Sequence, residues 1–99
     1  MNGGLFGLTA WEKMLLEPLP PGASVRQLVN RLDQLESLRC TKFLKMEAPE
    51  TTAIDMVRYQ ADVTLIGLAM EATTLRARAA WIRAAAERFP TRVRLPRFP

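Results

Sequence analysis

The sequence predicts an all-α fold: an antiparallel helical hairpin with a long C-terminal helix, about residues 52–89, and a short N-terminal helix, about 9–17, three helices in all. Three observations carry this expectation. Apolar residues recur at steps of three and four in each candidate segment, and β-branched clusters of period two are absent. Each segment is preceded by a Ser or Thr followed three residues later by a side chain that can reach back: Thr9 with Glu12, Ser24 with Gln27, Thr52 with Asp55. In such a capping box two backbone N–H groups at a helix start are satisfied reciprocally. Finally, the 40 residues between Pro49 and Pro90 contain no proline and one glycine, Gly67, so nothing interrupts a very long helix.

The first helix follows Thr9. Trp11, Met14 and Leu15 share one side of it, and Pro18, Pro20, Pro21 and Gly22 end it and form a stiff connector. The second helix opens after Ser24 and carries the cleanest stripe of the chain, Val25, Leu28, Leu32 and Leu35. Beyond Leu38 the register slips: Arg39 and Lys42 stand where apolar residues would continue, and Phe43, Leu44 and Met46 take over on a shifted face. A curve or local irregularity is expected near Cys40 to Lys42. Pro49 disfavours helix at the preceding residue, and the short connection to Thr52 makes the two long helices antiparallel neighbours.

On the third helix Ile54, Ala61, Leu68, Leu75, Ile82 and Phe89 recur every seven residues. Leu65, Ala72, Ala79 and Ala86 lie four after members of that series, which completes a heptad seam whose second half is mostly alanine. A second row, Met56, Tyr59, Val63, Ile66 and Met70, occupies another side of the same helix. One hairpin partner cannot cover both rows. At 1.5 Å per residue the second and third helices are about 36 and 57 Å long, so roughly 20 Å of the third, residues 76–89, is expected to overhang. The first helix is expected to cover part of it, with Trp11 and Leu15 meeting Trp81 or Ile82.

Composition narrows the function classes. A chain of 99 residues is normally one domain that buries about two thirds of its unfolded surface. Residues 1–89 are read as a single helical domain and 90–99 as an extended basic tail rich in proline and arginine. With 48% apolar and 24% charged residues the composition is that of a globular protein. There is no histidine and one cysteine, Cys40, so zinc sites of Cys and His, Cys–His nucleophile pairs and Ser–His–Asp triads are impossible within one chain. No enzymatic activity, cofactor or metal is expected, and Cys40 is read as a reduced, half-buried helix residue. Carboxylate neighbours such as Asp33 with Glu36 or Glu47 with Glu50 are read as solvated faces. Gly3, Gly4 and Gly7 lack the strand and Gly-Lys-Ser/Thr of a phosphate loop. Neither a secretory leader nor a membrane span is evident, so a cytoplasmic protein is expected.

The net charge of +4 is uneven. Residues 76–99 hold seven arginines against Glu87 alone, whereas residues 1–75 carry a net charge of −2. Arg76, Arg83, Arg92, Arg94 and Arg97 are therefore candidates for binding nucleic acid, or an acidic protein or membrane surface. No helix-turn-helix, zinc or RNA-binding signature accompanies them. Arg78 and Arg88 also suit a helix C-terminus.

The segment from Pro49 through Asp55-Met56-Val57-Arg58-x-Gln60 to Met70-Glu71 resembles the C-terminal helix of inner-rod and needle subunits of type III secretion systems, in which a proline-bearing turn leads into a leucine-rich helix with a central glutamine. The resemblance covers about twenty residues and implies polymerisation through that helix. The arginine and proline tail departs from those families, which usually end soon after the helix. Small helical-hairpin chaperones of the same systems are similar to the same degree. The residues themselves point to a helical interaction or assembly protein that binds itself or a protein partner through Ile54, Met56, Tyr59, Val63, Ile66, Leu68, Met70 and Trp81. A basic accessory factor acting through the arginine-rich segment, and a small subunit or chaperone of a type III secretion-like assembly, are the alternatives.

Overall fold

A computed structural model describes residues 8–89. They form α1 (Ala10–Leu16), α2 (Val25–Glu47) and α3 (Ala53–Arg88), and no strand occurs among the described residues. All three caps form as two-way boxes. The Thr9 hydroxyl accepts from the Glu12 N–H at 3.1 Å while the Glu12 carboxylate accepts from the Thr9 N–H at 2.9 Å. Ser24 with Gln27 and Thr52 with Asp55 repeat this arrangement. Each helix begins on the residue after its cap, where the first orphan donors are already satisfied. In the turn between α2 and α3, the Thr51 N–H donates to the Ala48 carbonyl at 3.1 Å and the Thr51 hydroxyl to the Lys45 carbonyl.

The helices pack as an antiparallel α2–α3 hairpin with α1 packed against its middle. The core is Leu15 from α1, Leu35 and Leu38 from α2 and Ile66 from α3, with Leu16, Ala69 and Met70 packed against it. Leu8 and Leu28 are buried as well. Glu12 lies beside Asp62, Leu15 beside Ile66, and Leu19 beside Arg76, so α1 and its connector follow the direction of α3.

Two arginines fasten that segment. Arg31 of α2 donates to the Leu15 and Glu17 carbonyls at 3.1 and 2.7 Å. Arg76 of α3 donates to the Leu19 and Pro20 carbonyls, both at 2.6 Å. The last carbonyls of a helix lack intrahelical donors and a proline-rich connector has few N–H groups to offer, although the Pro20 carbonyl also accepts from the Ala23 N–H at 3.0 Å; a planar guanidinium can satisfy two carbonyls at once.

Several expectations are corrected. α2 runs unbroken through Cys40 to Lys42, because Lys42 continues the buried stripe as a charged member with partners waiting for it. Cys40 is exposed rather than half-buried. α1 does not cover the end of α3: Leu15 packs mid-hairpin and Trp11 lies over Asp33, Ser37 and Thr41 of α2. The proline connector covers the Arg76–Arg83 level instead. Val25 at the start of α2 reaches the level of Trp81 and Ala85, so the overhang is shorter than anticipated. The basic tail, with Arg92, Arg94 and Arg97, and the glycines Gly3, Gly4 and Gly7 lie outside the described residues.

Candidate interaction surface

The two apolar rows of α3 have separate fates. α2 and α1 cover the second row: Ile66 is fully buried, and Met56, Tyr59, Val63 and Met70 are half-buried beside it. Ile66 is thus part of this chain's own core and presents nothing to a partner. The heptad seam faces the other way. Ile54 is 68% exposed, Leu68 59% and Leu75 60%, and Val57, Ile82 and Phe89 are exposed with them. Ala72 and Ala79 lie between, also exposed.

The outward face of α2 supplies the contrast. Arg26, Asn30, Asp33, Ser37 and Cys40 line it, as expected for a helix half-immersed in water, with Leu44 near its end, 70% exposed, as the apolar exception. α3 carries outward apolar side chains along its length, about 54 Å at 1.5 Å per residue over its 36 residues, with Thr64 and Glu71 among the polar residues beside them. Scattered exposed leucines need no explanation, but a contiguous stripe of this length marks an interaction site.

A buried charge cluster sits against the inward row. Lys42, 2% exposed, and Asp62, 0% exposed, meet across the hairpin with Nζ 3.4 Å from Oδ2. Glu12 of α1 approaches the same ammonium at 3.4 Å, and the Tyr59 ring lies 5.8 Å beneath it. The Lys42–Asp62 contact is an ion pair at the edge of hydrogen-bonding distance, and among the described residues no donor meets good bonding geometry at either Asp62 oxygen. Burial therefore raises the Asp62 pKa by more than the Lys42 charge lowers it. For Glu12 burial also acts upward, but the Thr9 N–H and the Lys42 ammonium together outweigh it and hold the carboxyl below its usual range. Any rotation of α3 that placed the seam inward would expel Asp62 from Lys42 and strand the lysine.

The remaining candidates fall into two places. Trp81 is exposed beside Ile82 and lines an apolar groove of about 440 Å³ with Val25, Val29 and Ala77. Arg76 is occupied by the Leu19 and Pro20 carbonyls, while Arg83 is exposed at the edge of the proline connector. Val57 belongs to the outward stripe although the seven-residue count omits it. The Lys42–Asp62–Glu12 cluster was also missed, and its signal was present: Lys42 is one of two basic residues that interrupt the α2 stripe, and Asp62 interrupts the inner row of α3.

Among the described residues no group of three His, Cys, Asp or Glu side chains is placed to hold a metal ion. No described helix is long and apolar enough to cross a membrane. No family model, curated protein or solved structure matches the chain.

Proposed function

We infer that this chain is a helical interaction and assembly protein that works through the outward face of α3. The observation supporting this is the seam, Ile54 to Phe89, left exposed by the described residues on a helix whose opposite side is already sealed by the chain's own core. Covering six large exposed apolar side chains on association supplies a driving force of roughly 25 cal/mol per Å² of apolar surface removed from water. The single cysteine, free and exposed, suits a reducing, cytoplasmic setting.

Light scattering behind a sizing column, at low and high salt, tests the reading. Association that survives high salt, with or without a copurifying protein, and that is lost in Leu68→Glu while helicity is unchanged, is the expected result. Retention of nucleic acid that falls steeply with salt and ignores Leu68→Glu would move the activity to Arg78, Arg83 and Arg88 and overturn it.

A further inference from the structure

We propose that the occupant of the outward face of α3 is a second copy of this chain, lying antiparallel in a fixed register; the proposal rests on the interaction reading above. Three features of the seam argue for it.

Size comes first. Residues 58–89 span about 48 Å, and half the girth of a helix 10–12 Å across is roughly 16–19 Å, so the open half of α3 offers about 800 Å². That is the area each partner contributes to an interface of standard size.

The second feature is shape. The seam consists of a large series, Leu68, Leu75 and Ile82, and a series four residues on, Leu65, Ala72, Ala79 and Ala86. In a parallel pair each residue meets its own copy, giving layers of Ala72, Ala79 and Ala86 that leave gaps. In an antiparallel pair the two series interleave. With Ala72 of one copy across from Leu75 of the other, Ala79 lies across from Leu68, and Leu65 from Ile82. Small residues then face large ones in the four central layers about the twofold axis, flanked on each side by a Leu65–Ile82 layer, as close packing at the centre requires.

Charge is the third. Glu71 and Arg78 are exposed, and neither forms an ion pair among the described residues. Seven residues apart, they lie on the same edge of the seam. An antiparallel pair brings like edges together, and the register set by Ala72 and Leu75 puts Glu71 of each copy beside Arg78 of the other. Two ion pairs then form about one twofold axis. Arg76 is held by the proline connector on the opposite edge, where the same register places it across from Ala69. No like-charge contact results.

The test uses the full chain with Cys40→Ser. Leu68→Cys and Ala79→Cys proteins, mixed and mildly oxidised, should give a mixed disulfide dimer much faster than either gives a dimer alone. Charge reversal provides an independent measure. Glu71→Arg and Arg78→Glu should each weaken dimerisation about tenfold, and the double reversal should restore it to within about threefold. Rapid Leu68–Leu68 crosslinking, or no recovery in the double reversal, would overturn the antiparallel register. A monomeric mass at 100 µM or above would overturn the second copy as occupant, while leaving the interaction reading to a different partner.

Discussion

Replacing Lys42 by Met keeps most of the side-chain volume and removes the charge on which α1, α2 and α3 converge. Among the described residues Asp62 would then be an anion with no exposed surface and no hydrogen-bond donor, and Glu12 would lose the one cation those residues place within 4 Å of it. Breaking one member of a buried ion pair typically costs about 3–5 kcal/mol, because the surviving charge remains desolvated. Total stability for a domain of this size is about 5–15 kcal/mol, so between about a fifth and all of it would be lost. At roughly 4–8 °C per kcal/mol the midpoint should fall by about 12–40 °C. Thermal unfolding followed by far-ultraviolet circular dichroism at one fixed protein concentration reads this directly. The double replacement Lys42→Met/Asp62→Leu removes both charges and should recover most of the loss, to within about 2 kcal/mol of the parent. A Lys42→Met protein within about 5 °C of the parent, or a double variant no more stable than the single, would refute the argument that the buried pair governs packing here.

Stability should also depend on pH in two opposed windows. The raised Asp62 pKa is a liability at neutral pH that is relieved as pH falls toward the carboxylate range, whereas the lowered Glu12 pKa contributes stability above about pH 4.5 that is lost on further acidification. Chemical denaturation across pH 3–8 should therefore peak in mild acid, with Asp62→Asn flattening the neutral limb and Glu12→Gln the acid limb. Gly67→Ala should stabilise by about 0.5–1 kcal/mol, since a Cβ there meets no atom within 4 Å and Gly is a poor helix former; a lower midpoint would contradict this. Arg76→Ala should cost about 1.5–3 kcal/mol and speed proteolysis between Glu17 and Ser24, with Arg76→Lys restoring little, because an ammonium does not reproduce the guanidinium fork on the Leu19 and Pro20 carbonyls. Equal recovery in the lysine variant would point to charge alone.

The local grammar of the chain was legible without coordinates. Thr9, Ser24 and Thr52 announce their helices because a capping box is a contact between residues three apart, and the prolines flanking Pro49 to Pro90 bound α3 through constraints on single residues. Both apolar rows of α3 can be read from periodicity alone. Which row turns inward cannot, since each is apolar enough to form a core and the hydrophobic effect has no direction of its own.

That choice was made by contacts between distant positions. Lys42 and Asp62 read separately as flaws in their stripes, and only pairing across the hairpin makes each tolerable in the interior. Arg76 reads as part of a basic end until its guanidinium is found on the Leu19 carbonyl, 57 residues away. Sequence by itself therefore determined three helices, their caps and the surplus of apolar surface. Tertiary structure decided that the second row of α3 is core and the heptad seam is exposed, because one desolvated lysine is stable in only one rotation of the long helix.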